Sequence, residues 1–266
     1  MNVKYFDLKD KKVLVTGGGS GIGATIVEYF CEQEAEVFFI DYNVKESKKL
    51  IQKINKKKLR LPKFYECNLI NINRLQSVIK KIISKHGIIE VLINNAANDD
   101  RHSTFKVDKK YWENRINVNL RHYFFAIKSV IKGMIKNKSG SIVNLSSVSW
   151  ILGEGDKVVY ETAKSAVIGL SRSFAQEFGK YNIRSNVVTP GSIATERQIK
   201  NWLTPQYKKF ILNQQALKRQ LKPNDVANLV LYLSSDVSSG CTKQNFIVDA
   251  GICLLYTSDA ADERLS

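Results

Sequence analysis

No run of eighteen apolar residues occurs in this chain, so a membrane-crossing helix is not expected. The first residues, Met1-Asn2-Val3-Lys4-Tyr5-Phe6-Asp7, form no apolar leader stretch. Cysteine is scarce. Cys31, Cys67, Cys241 and Cys253 lie far apart and make no CxxC pair. That argues against a disulfide framework or a thiolate metal site, and for reduced thiols in a cytoplasmic protein. Histidine is scarcer still: His86, His102 and His122 are scattered, and no bound metal is expected. There is no Pro/Gly/Ser-rich linker and no internal repeat. Acidic residues are also short in number, 25 against 41 Lys and Arg, for a net charge of +16. Such a charge can signal nucleic acid or an anionic surface as partner. Here the lysines are spread over helix-like segments, as in Lys48-Lys49, Lys56-Lys57-Lys58 and Lys208-Lys209. They read as a solvated surface, with neither a nucleic-acid nor a membrane partner.

What is present is core material: 44% of the 266 residues are hydrophobic, enough for one sizeable α/β domain. Apolar runs alternate with amphipathic stretches. Strands are predicted over Lys12–Thr16, Glu36–Asp41, Lys63–Cys67, Val91–Asn94, Ser141–Ser146, Ile183–Thr189 and Gln244–Val248. Helices are predicted over Gly21–Glu34, Val44–Asn55 and Ile72–His86, with another carrying Tyr160 and Lys164. This rhythm predicts a single Rossmann-type, doubly wound parallel β-sheet with helices on both faces. Ligands of such sheets bind at the carboxyl ends of the strands. The segment Ile193–Leu221 has no clear strand, and Pro205 separates helix-like pieces; it reads as a lid or a helical insertion. The domain is taken as residues 1–251. Residues 252–266 turn acidic and lose lysine, and are expected to be a non-native or disordered tail resembling a translated adapter.

Between the first strand and its helix stands Gly17-Gly18-Gly19-Ser20-Gly21-Ile22-Gly23. Glycines there let the backbone turn tightly and approach a pyrophosphate, and the helix start offers free N–H groups to it. Asp41 ends the second strand, where its carboxylate can accept bonds from both hydroxyls of an adenosine ribose and would repel a 2′-phosphate. That predicts NAD rather than NADP. The alternative for Asp41 is a helix cap.

Tyr160 and Lys164 are four residues apart, hence on one helical face, and Ser147 lies thirteen residues upstream. A phenol ordinarily titrates near ~10. Bringing it close to neutrality takes about 4 kcal/mol, which a close ammonium and an oxidised nicotinamide could supply. The pair thus points to a general base for hydride-transfer chemistry, with the phenol expected to be lowered.

Taken together, Thr16–Gly23, Asn94-Asn95-Ala96-Ala97, Asn119, Ser147, Tyr160 with Lys164, and Pro190-Gly191 followed by Thr195 resemble the short-chain dehydrogenase/reductase family up to Gly251. The resemblance implies that Tyr160 is the acid/base, that Lys164 holds the nicotinamide ribose, that Ser147 bonds the reacting oxygen, and that Asn119 anchors its helix and a proton relay. It also implies cofactor contacts from Gly17, Gly19, Ser20, Gly21, Ile22, Gly23, Asp41, Asn68, Leu69, Asn95, Ala96, Ala97, Pro190, Gly191, Ile193 and Thr195. Many family members carry aspartate where Asn68 stands. Within the family, Asn98–His102, Arg115–His122, Ser147–Trp150, Asn201–Pro205 and Asp249–Gly251 are similar to the bacterial NAD-dependent D-xylose 1-dehydrogenases. That implies oxidation of the anomeric carbon of an aldose to a lactone by a homodimer or homotetramer.

A sugar pocket needs polar side chains and an apolar platform. Asn98, Asp99, Ser149 and Trp150 are the candidates beside Ser147 and Tyr160. Asp100 and Arg101 could pair to shape the loop, and His102 and His122 read as structural. The alternatives are an NAD(P)-dependent ketone or 3-oxoacyl reductase, which would favour NADPH and a greasier pocket, and a non-enzymatic NAD-binding regulator.

Overall fold

A computed structural model describes residues 3–253. Seven strands form one parallel sheet: β1 (Lys12–Thr16), β2 (Glu36–Asp41), β3 (Lys63–Glu66), β4 (Val91–Asn94), β5 (Gly140–Leu145), β6 (Ile183–Pro190) and β7 (Asn245–Val248), in the order β3-β2-β1-β4-β5-β6-β7. The helices are α1 (Gly21–Glu32), α2 (Val44–Lys56), α3 (Ile72–His86), α4 (Lys109–Ile116), α5 (His122–Asn137), α6 (Ser149–Leu152), α7 (Val158–Phe178), α8 (Glu196–Asn201), α9 (Pro205–Gln214) and α10 (Pro223–Ser234). The predicted strands match to within a residue at either end. α1 stops at Glu32 because Glu34 takes a left-handed φ of 63° that turns the chain into β2.

Strand alternation sorts side chains to two faces. Val13 and Val15 of β1 join Val37 and Phe39 of β2 in one core, beneath α1 and α10. Leu14 joins Phe38, Ile40 and Leu92 in the other, beneath α3 and α5. Burial on both faces is what an apolar parallel strand requires. In α1, Ile26, Val27, Phe30 and Cys31 are buried at helical spacing. α2 and α3 start on asparagine caps, Asn43 accepting from Glu46 N and Asn71 from Arg74 N.

One feature escaped the sequence reading and another was read only in outline. First, no element was predicted between β4 and β5, yet residues 109–137 are helical, with a π-helical turn over Asn117–Arg121 joining α4 to α5. Secondly, the Ile193–Leu221 segment is closed by a bridge between its two ends and carries α8 and α9. Of the expected tail, Ile252 lines the main cavity and Cys253 N donates to Asp249 Oδ2 at 2.8 Å; residues 254–266 lie outside the described residues. No helix among the described residues is long and apolar enough to cross a membrane.

Candidate active site

The sheet order reverses between β1 and β4, and the crevice beyond the carboxyl ends of these strands is where ligands bind in such folds. A cavity of about 660 Å³ occupies it. Gly17, Ser20, Ile22, Gly23, Asp41, Asn68, Leu69, Asn95, Ala96, Ala97, Pro190, Gly191, Ile193 and Thr195 all line it, as do Asn98, Asp99, Ser147, Ser149, Tyr160 and Lys164. Gly19, Gly21, Asn119 and Trp150 do not.

The glycine turn is built by close approach. Gly17 takes φ +66°, and a Cβ on Gly23 would stand 2.0 Å from Gly17 O. Only a bare α-carbon lets α1 sit this close to the turn. Gly19 N donates to Asp41 Oδ2 at 2.9 Å, and Asn43 N to Oδ1 at 2.8 Å. Both carboxylate oxygens are thereby oriented at the mouth of the turn, and each retains a lone pair. Asn95 Nδ2 donates to Gly17 O at 2.9 Å and Thr16 O at 3.2 Å, so this side chain braces the turn while lining the cavity. Asn68 Oδ1 accepts from Ile70 N at 3.1 Å. The first N–H groups of α1 have no partner within the helix, and Ser20 does not cap them with its side chain.

At the other end, β5 delivers Ser147 and α7 delivers Tyr160 and Lys164. Lys164 is buried. Its Nζ donates to Leu145 O at 2.8 Å and to Tyr123 Oη at 3.1 Å, while Tyr123 Oη donates to Leu145 O at 3.0 Å. An ammonium has three donors, so one remains for the cavity. Tyr123, on α5, went unnoticed in the sequence because an aromatic in an apolar helix reads simply as core. Asn119 acts elsewhere: its Oδ1 accepts from Asn98 N at 2.7 Å, and its Nδ2 donates to Asn98 O and, across the π turn, to Arg115 O. It ties the α4–α5 junction to the loop after β4. Ser147 Oγ sits 3.0 Å from Ser149 Oγ. Trp150 is half-buried away from the cavity wall, its indole Nε1 without a hydrogen-bond partner.

The electrostatics correct one expectation. The protein's own groups raise the Tyr160 phenol rather than lower it. Burial is the first cause and the Asp99 carboxylate the second; the Ser147 hydrogen bond opposes them. Burial also pulls Lys164 down to about 7, against the pull of Asp99. Desolvation penalises the phenolate and the ammonium alike. His122 is buried and held down to about 3 by desolvation and by Lys164, its Nε2 lying 3.2 Å from Ala96 O and 3.0 Å from Val118 O; it is a neutral structural group.

A second correction concerns the loop after β4. Asp100 and Arg101 do not pair. Arg101 Nη1 donates to Asp156 Oδ2 at 2.7 Å, and Asp100 lies 3.7 Å from Arg115 Nη1. Asp99 is engaged by α8, accepting from Arg197 Nη2 at 3.0 Å and Gln198 Nε2 at 2.5 Å. Lys157 pairs with Glu154. Four cations thus meet four carboxylates around the substrate end, whereas Lys164 meets a carbonyl and a hydroxyl. Arg197, Gln198, Tyr207, Glu154 and Lys157 all line the cavity and carried no signal in the sequence, since they are brought in by three separate segments, α8, α9 and the α6–α7 connection.

Residues 17–253 match the family described as Enoyl-(Acyl carrier protein) reductase. The chain is 43% identical over 247 residues to a D-xylose 1-dehydrogenase of Caulobacter vibrioides, covering 93% of this chain and 97% of that one. It is 41% identical to a protein of Rhizobium meliloti described as "Probable galactose dehydrogenase GalD", covering 94% and 97%. Among solved structures, a 3-oxoacyl-[acyl-carrier protein] reductase from Brucella melitensis superposes with a TM-score of 0.86 at 27% identity, covering 94% of this chain and 93% of that one.

Proposed function

Because the chain belongs to the short-chain dehydrogenase/reductase family, and is therefore an oxidoreductase using a nicotinamide cofactor, we propose that it oxidises the anomeric carbon of an aldose, D-xylose to xylonolactone foremost, with NAD as cofactor and Tyr160 as general base. The observation that carries this reading is the convergence of Ser147, Tyr160 and Lys164 on one cavity, where the other cations of the substrate end are paired with acids. Apart from Lys164, the cations there are already paired with acids, which suits a neutral polyol better than an anionic substrate.

The residues at the other end fit a dinucleotide. The Gly17–Gly23 turn and the first N–H groups of α1 suit a pyrophosphate. Asp41, its oxygens already oriented, suits the ribose hydroxyls and is flanked in the wall by Tyr42 and Asn43, neither of them cationic. That favours NAD. When bound, the oxidised nicotinamide supplies the hydride acceptor and a fixed positive charge. Lys164 would hold its ribose and Pro190, Gly191, Ile193 and Thr195 would surround its ring.

In this scheme Ser147 bonds the anomeric hydroxyl and aims it at Tyr160. The phenolate takes that proton as the C1–H bond breaks with its electron pair. Burial and Asp99 hold the phenol up, Ser147 and Arg197 oppose them, and the positive charge of a bound oxidised cofactor would lower it further. Asn119 holds the Asn98–Asp99 loop to the α4–α5 junction. The homodimer or homotetramer stays part of this proposal on the family resemblance alone.

Initial rates at 340 nm with NAD or NADP test the proposal against D-xylose, L-arabinose, D-glucose and D-galactose. NADH formation that falls about 10²–10⁴-fold in Tyr160→Phe is the expected outcome. Silence on every sugar, with NAD still bound by calorimetry, would remove the aldose reading. The second reading, a ketone or 3-oxoacyl reductase, draws on the similarity to the Brucella enzyme; faster oxidation of NADPH by an acetoacetyl thioester than any sugar rate would establish it.

A further inference from the structure

Past Ser147 and Tyr160 the cavity runs on into a chamber walled by Arg101, Leu152, Glu154, Lys157, Tyr207 and Ile211. Three separate parts of the chain meet there: the loop after β4, the connection from α6 to α7, and α9. They are cross-tied. The Arg101 guanidinium bonds Asp156 and lies 4.6 Å from the Trp202 ring centroid and 5.8 Å from that of Tyr207. Glu154 pairs with Lys157, and its backbone N–H donates to Glu161 Oε1 at 3.2 Å. Tyr207 is set by the start of its helix, where Pro205 occupies the first turn and Thr204 Oγ1 accepts from Tyr207 N at 3.2 Å.

The aromatic rings in the cavity wall are those of Tyr42 beside Asp41, of Tyr160, and of Tyr207. Tyr160 belongs to the reacting centre and Tyr42 to the far, adenosine end. We propose that this chamber is the subsite for the sugar carbons remote from C1, with the Tyr207 ring as the platform for their C–H face and the Glu154–Lys157 pair as the reader of their hydroxyls. The proposal rests on the aldose reading above and replaces Trp150, which stands outside the cavity, with Tyr207 as the aromatic that meets substrate. An aromatic face carries negative charge density that matches the polarised C–H bonds of a sugar ring. A charged acid–base pair offers lone pairs and N–H donors to adjacent hydroxyls, in bonds stronger than neutral ones.

The consequence is a selection made at the end of the sugar away from the chemistry. D-xylose and D-glucose share their configuration at C2, C3 and C4 and differ by the hydroxymethyl on C5. Tyr207→Ala, by opening the chamber, should raise the ratio of kcat/KM for D-glucose over D-xylose by about tenfold or more, with KM for NAD unchanged. Tyr207→Phe, keeping the ring, should leave that ratio where it is. Should Tyr207→Ala fail to fold, Glu154→Gln reads the same subsite: KM for D-xylose rises about tenfold while KM for NAD is unchanged. An unchanged sugar ratio in Tyr207→Ala, or an unchanged KM for D-xylose in Glu154→Gln, would overturn the subsite alone. A wild-type protein that oxidises no sugar overturns the aldose reading and the subsite with it.

Discussion

Replacing Lys164 by methionine removes a charge that the fold opposes, and the effect should be legible in how stability changes with pH. Lys164 is 1% exposed, and burial holds its ammonium at about 7 against an ordinary 10.5. Between those values the unfolded chain keeps the proton and the native protein releases it. The unfolded state then binds more protons, so wild-type stability rises with pH across that window. The destabilisation is fully present below about 7 and is gone above 10.5. At about 1.4 kcal/mol for each pH unit, its full size is about 5 kcal/mol as an upper bound. Methionine fills a similar volume and does not titrate. It forfeits the bonds to Tyr123 and to Leu145 O, each worth about 1–3 kcal/mol, and that loss sets the offset between the two proteins. The slope is the diagnostic. Urea unfolding followed by tryptophan fluorescence at pH 7, 8 and 9 should show the variant's stability relative to wild type falling by about 1 kcal/mol per pH unit. A difference that is flat with pH, or that grows, would refute the reasoning, because Lys164 would then be as protonated in the native protein as in the unfolded one.

Two further outcomes follow from the site. Asp41→Ala should raise KM for NAD about 10–100-fold, the worth of hydrogen bonds to a charged acceptor, while KM for NADP rises less or falls; equal shifts in initial-rate measurements would mean that Asp41 does not select the cofactor. Asp99→Asn should move the rising limb of the kcat/KM pH profile to lower pH. It removes a negative charge that raises Tyr160 and releases Arg197, whose charge lowers it; a limb that stays put would separate Asp99 from the base.

The Asp99 case also marks where the sequence stops being informative. That Asp99 lies just after β4, near the reacting centre, follows from chain order. That α8 would claim it through Arg197 and Gln198, almost a hundred residues on, does not. Arg101 and Asp156, Lys164 and Tyr123, and the chamber around Tyr207 share this character: each depends on where two distant elements come to rest. Charged neighbours in sequence, such as Asp100 and Arg101, invite a pairing that the folded loop does not make, because opposed charges pair by reach and not by adjacency.

What the sequence alone determined is whatever is local and periodic. Apolar runs between amphipathic stretches placed the strands to within a residue, and helical spacing put Tyr160 and Lys164 on one side of α7. The glycines of the turn declared a backbone packed too tightly for any side chain. Tertiary structure alone decided the sign of the shift at Tyr160, because burial depends on everything packed around the ring and a four-residue spacing records only one neighbour. It likewise decided which charges pair at the mouth and which aromatic rings line the cavity. Pairing and desolvation are properties of assembled space, and chain order encodes them only through the fold.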